Sequence, residues 1–177
     1  SFILLFRRLT NTASTRVRRS SEVSRDLRPK LMAITPNSGL LGDTARNLAS
    51  FTLLKLADAS GACRQQDFAQ AVDTMILAME IIVDPADYPT PKIAKNSQTL
   101  RPLGLGYANL GALIMLNGLA YDSDEGRNLC SAITSLMTGR SYHRSAEIAA
   151  RMGPFAEYEK NRAPFLEVIG LHSEYGD

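Results

Sequence analysis

The side chains that could do chemistry in this chain are few and scattered. Two cysteines, Cys63 and Cys130, stand 67 residues apart, with no Cys-x-x-Cys pair and no spacing that suits a metal. Both read as small packed thiols of a reducing compartment. His143 and His172 each stand alone and read as surface residues. Glu80 lies beside an apolar helical face; a solvated edge is the first reading and a buried ion-pair partner the second. Asp122, Asp124 and Glu125 bunch like cation ligands, but acids in the first turn of a helix account for them, because they complement its dipole. Gly104-Leu105-Gly106 echoes a phosphate loop, and close backbone packing explains it better. No metal and no cofactor is expected from these residues.

The elements that must position them are mostly helical. Phe68, Ala69, Val72, Met75, Ile76, Met79, Ile82 and Val83 recur at spacings of three and four, which predicts a helix over 66–83. Asp84-Pro85 ends it, since a residue before proline is pushed out of the α region. Leu48 to Leu56 is a short apolar segment, strand or buried turn. A second helix starts after Tyr88, with Pro89 and Thr90 leading in and Ile93 inward. Residues 100–105 read as a buried strand and 107–116 as a helix. Ser123 caps a helix predicted to stop at Gly139, with another over 142–151 before Gly153-Pro154 and a last over 163–169. Residues 102–121 carry no charge, yet their four glycines, two asparagines and proline point to a buried strand-turn-helix rather than a membrane span.

Charge divides the chain. The 177 residues carry a net +2, but residues 1–35 hold eight basic side chains against Glu22 and Asp26, a net of +6. The remainder is therefore at −4. Residues 1–21 have five arginines, seven Ser or Thr and no acid, the composition of an organelle transit peptide. The expected organisation is a basic arm over 1–35, followed by one domain over 36–177, in a mitochondrial protein.

Several runs in that domain are specific. They include Asn47-Leu48-Ala49-Ser50, Leu77-Ala78-Met79-Glu80-Ile81, Tyr88-Pro89-Thr90, Asn96-Ser97 and the uninterrupted stretch from Arg101 to Gly126. Met137-Thr138-Gly139 and Ser145-Ala146-Glu147-Ile148-Ala149 continue the series. In this order they resemble the barrel domain of adenosylcobalamin-dependent (class II) ribonucleotide reductases. The resemblance implies an α/β fold, a predominantly helical fragment of the reductase barrel with one or two short strands. It also implies where catalytic groups would stand. The family carries a radical cysteine in an Asn-Pro-Cys-x-Glu loop and a reducing cysteine just before Asn-Leu-(Ala/Gly)-Ser. Here those positions hold Thr35, Asn37, Gly39 and Arg46. An amide cannot carry a thiyl radical, a glycine has no acid to give, and an arginine forms no disulfide.

From these four positions the sequence predicts a non-catalytic relative. Its expected role is a structural, accessory subunit of a large mitochondrial complex, the respiratory chain or ATP synthase ahead of others. A partial barrel exposes strand edges and apolar faces that other protein subunits would cover. Two alternatives stand beside it. One is an RNA-contacting subunit of a mitochondrial ribosome, using the basic arm on phosphates. The other is one chain of a split ribonucleotide reductase whose remaining parts come from elsewhere.

Overall fold

The computed structural model describes residues 43–176. The basic arm, with Thr35, Asn37 and Gly39, lies outside the described residues. The described chain runs β1 (Asn47–Thr52), a 3₁₀ turn (Leu53–Lys55), α1 (Gln65–Ile82), α2 (Pro91–Leu100), β2 (Leu103–Ala108), α3 (Leu110–Leu116), α4 (Asp124–Met152) and α5 (Tyr158–Gly176). The apolar segment at 48–56 is thus a strand that tightens into a turn. β1 and β2 pair in parallel, with Asn47 opposite Leu103 and Thr52 opposite Ala108. A parallel pair needs a crossover, and α1 with α2 supplies it.

The expected apolar stripe of α1 is the centre of the core. Phe68, Val72, Ile76 and Met79 are all buried, and Phe51 of β1 meets Phe68 edge-on at 5.6 Å. Burying side chains of this size contributes roughly 1.5–3 kcal/mol each. α1 packs on both strands with one face and on α4 with another, giving layers of sheet, helix and helix. Val83 caps α1 ahead of Asp84-Pro85, as the proline requires.

α2 opens as its sequence demands. Thr90 Oγ1 accepts the Ile93 N–H at 3.2 Å, and Pro91 fills the first helical position. Its end differs from expectation. Leu100 is still helical, and Arg101 turns left-handed at φ 48°, donating its N–H to the Ser97 carbonyl at 2.8 Å. The strand therefore starts at Leu103 rather than Leu100. It also runs longer, because Asn109, also left-handed at φ 68°, holds the start of α3 back to Leu110. Asparagine tolerates that region better than most residues.

Ser123 caps α4 as expected, accepting the Gly126 N–H at 3.0 Å. Gly126 is obligatory there: a Cβ would stand 2.7 Å from the Ala120 carbonyl oxygen. The predicted stop at Gly139 is overturned, for α4 passes through it to Met152. A mid-helix glycine costs about 1 kcal/mol. Burial of Ile133, Met137 and Ser141, and the Arg140–Asp73 ion pair to α1, outweigh that cost. Gly153, at φ 87°, is the real terminus. α5 is longer at both ends than 163–169, because Phe155, Tyr158 and Phe165 stack edge-on at 5.7–6.2 Å and fix its first turns around Pro164. Among the described residues no helix is long and apolar enough to cross a membrane.

Two positions on α1 separate core from surface. Ile76→Ala, at 1% exposure, is expected to lower unfolding free energy by about 2–5 kcal/mol. Ile81→Ala, at 61%, should change it by less than about 0.5 kcal/mol. Urea titration followed by circular dichroism measures both.

Candidate functional site

The segment leading into β1 is held at three points. Asp43 pairs with Lys92 of α2 at 2.5 Å. The Ala45 N–H donates to Ser97 Oγ at 2.8 Å, and Asn47 Nδ2 donates to the Met79 carbonyl at 2.9 Å. Arg46 lies between the last two anchors, half-buried. Ser97 is one of two buried polar residues among the described ones, with 1% exposure. The last turns of α2 thus hold the loop's end, and the end of α1 holds the first strand residue.

A second cluster fixes those two helix ends to each other. Arg101 Nε donates to Glu80 Oε1, one Nη donates to Asp84 Oδ1 at 2.7 Å, and the other to the Glu80 carbonyl at 2.8 Å. The planar guanidinium suits such forked contacts, where lysine would not. The Arg101 hydrogen bond holds the Asp84 carboxyl below its ordinary range, against a small opposing effect of burial. Glu80 is therefore the ion-pair partner of the second reading and not a solvated edge. One guanidinium ties α1, the Asp84 turn and the start of β2 together.

The remaining candidates separate. Cys63 and Cys130 are half-buried free thiols, and burial pushes both up, away from reactive thiolates. His172 corrects the surface reading: it is largely buried, its Nδ1 lies 3.1 Å from the Tyr142 hydroxyl, and burial lowers its pKa. His143 lies on α4 at 3.6 Å from Glu147. Asp124 pairs with Arg127 at 2.6 Å, as part of a helix start. Among the described residues no group of His, Cys, Asp or Glu could hold a metal ion. A Cβ at Gly104 would meet Leu48 Cδ2 at 2.5 Å, so this glycine serves strand packing, though the Leu48 tip is free to swing.

Sequence reasoning missed Ser97 and the role of Arg101. The signal for Ser97 was its spacing of four from the inward Ile93, which places a polar residue on the inner face of α2. A long-range bond to a loop amide left no such trace.

Among the described residues, two parallel strands joined by a helical crossover make a mostly helical α/β fragment. The chain belongs to the ribonucleotide reductase family, on its vitamin B12-dependent branch. The family model "Ribonucleotide reductase, barrel domain" matches residues 36–171. A vitamin B12-dependent ribonucleotide reductase of Streptomyces avermitilis is 51% identical over 138 residues, 76% of this chain and 14% of that protein. One from Rhodopirellula baltica is 47% identical over 137 residues, 77% of this chain and 13% of that protein. One from Agrobacterium fabrum is 46% identical over 133 residues, 75% of this chain and 10% of that protein. The chain thus spans about one seventh or less of the length of these relatives.

These likenesses correct four expectations. The accessory-subunit role is overturned, because relatives near 50% identity are vitamin B12-dependent ribonucleotide reductases. The non-enzyme reading falls on the same ground, since the family is one of enzymes. The pseudoenzyme and respiratory-chain descriptions go with it. The mitochondrial location is overturned by relatives from bacteria.

Arg101→Ala would leave the mostly buried Glu80 carboxylate without its cation, and is expected to destabilise by about 2–4 kcal/mol. Arg101→Lys should recover less than half of that in the same denaturation experiment. His172 supplies a pH test. Its folded pKa lies below the unfolded 6.5, so its contribution is complete above pH 6.5 and is lost as pH falls through the folded value. Thermal unfolding between pH 7.5 and 5 should show stability falling toward acid, and His172→Gln should flatten that slope.

Proposed function

We propose that the chain forms part of the barrel wall of a vitamin B12-dependent ribonucleotide reductase and serves ribonucleotide reduction together with the parts it does not span. One observation carries this reading: among the described residues, helices cover the parallel β1–β2 pair on one face only. Leu103, Leu105 and Phe51 face the helices and are buried, while Leu48, Ser50 and Thr52 are exposed. Parallel sheets are covered on both faces, and a two-stranded sheet is marginal by itself. Further strands beside this pair, closing a barrel, satisfy both conditions. Identity near 50% over three quarters of the chain supports the same conclusion.

On this reading the chain's own work is to hold the wall and the segment over residues 43–47 that leads into β1. Thr35, Asn37, Gly39 and Arg46 supply no thiol and no carboxylate, so the thiols of the reaction come from other parts of the protein. Vitamin B12 appears in the names of the relatives. The described residues assemble no group of His, Cys, Asp or Glu that would hold its cobalt.

Replacing the matching stretch of the Streptomyces avermitilis reductase by residues 47–171 of this chain tests the proposal. The graft leaves that enzyme's own loop in place. The expected result is a folded enzyme that reduces ribonucleotides with adenosylcobalamin at a rate within about tenfold of the parent. A folded chimera with no turnover overturns it.

A further inference from the structure

We propose that the far end of α5 is an acid-released latch, seated on α4 through the Tyr142–His172 pair and free to leave while the core stays folded. Among the described residues, the hydrophobic core draws side chains from β1, β2, α1, α3 and α4, and none from α5. Gly153, at φ 87°, and Pro154 separate α5 from α4 along the chain. α5 is also a weak helix by composition. Pro164 lacks an N–H inside it, and Gly170 costs backbone entropy, so the helix depends on its packed face.

That face is held in two places. Phe155, Tyr158 and Phe165 stack edge-on at the root of α5. Beyond them, Pro164, Val168 and His172 recur at every fourth residue and so share one side of the helix. Val168 is 1% exposed. His172 Nδ1 lies 3.1 Å from the Tyr142 hydroxyl of α4, with the two rings 5.9 Å apart and tilted by 44°.

This seat suits a neutral imidazole and not a cation. Tyr142 is the titratable group of α4 that faces it, and burial raises the pKa of that phenol, which stays neutral. His143, Arg144 and Glu147 follow along α4, with Arg144 and Glu147 paired at 2.9 Å, and Glu167 and Glu174 are the acids nearest on α5. None of them acts on His172, whose pKa is lowered by burial alone. A proton there puts a charge into a largely buried contact with no anion to meet it. Seated, His172 lies below the 6.5 that it regains when α5 leaves. The seat is therefore fully held above pH 6.5 and weakens as pH falls through the seated value. The core cluster contains no carboxylate and no imidazole, so the same proton leaves it in place.

Amide hydrogen exchange on the full chain, read by mass spectrometry and corrected for the intrinsic pH dependence of exchange, tests the latch. From pH 7.5 to 5, protection over residues 166–173 is expected to fall about tenfold, while protection over 68–79 of α1 changes by less than about twofold. His172→Gln keeps a polar group toward Tyr142 but takes no proton, and should hold 166–173 equally protected at both pH values. His172→Lys, charged throughout, should expose them already at pH 7.5. A proton NMR titration of His172 in the parent chain needs no variant, and its midpoint should fall below 6.5 and within about one pH unit of the loss of protection. Unchanged protection over 166–173 overturns the latch, as does its loss in step with α1, or a slope that survives in His172→Gln. If His172→Gln fails to seat α5, the parent's two midpoints decide, and a wider separation between them overturns the proposal.

Discussion

The parallel pairing of β1 with β2 is the constraint on which the rest of the fold depends. Parallel neighbours cannot be joined by a tight turn, so the chain must leave the sheet and return from the same end. α1 and α2 make that return, and their lengths and caps set where Leu103 comes back beside Asn47. A slip of one residue would send Leu103 and Leu105 to the open face and turn the small face of Gly104 and Gly106 toward α1. The core of Phe68, Val72, Ile76 and Met79 is shaped for the first arrangement alone.

Polar groups set the ends of those elements. Arg101 sits in a left-handed conformation that ends α2, and its side chain reaches back to Glu80 and Asp84 at the end of α1. Ser97 and Asn47 then fasten the start of β1 to the same corner. Apolar burial decides that the layers associate; these few directional bonds decide their register. The same corner holds the segment over residues 43–47 that leads into β1.

The functional expectation failed for an instructive reason. Four positions, Thr35, Asn37, Gly39 and Arg46, do not speak for the whole protein. The matched segment is itself 14% of the Streptomyces avermitilis relative. The composition of the arginine-rich, acid-free arm fixes its charge without fixing a destination. Likeness over 138 residues carries more information than either.

What the sequence determined by itself was local and periodic. The α1 stripe, the Thr90 and Ser123 caps, the proline stop at Asp84-Pro85 and the family resemblance all depend on residues near one another in the chain. Only the tertiary structure decided the rest. Gly139 ended no helix, because burial of Met137 and Ser141 and the Arg140–Asp73 pair supplied more than the glycine took away. Glu80 found a cation 21 residues later, and His172 came to rest against Tyr142 thirty residues before it. Ser97 took up an amide 52 residues earlier. Such contacts depend on distances that exist only after the sheet and helices have closed on one another, so no window of sequence contains them.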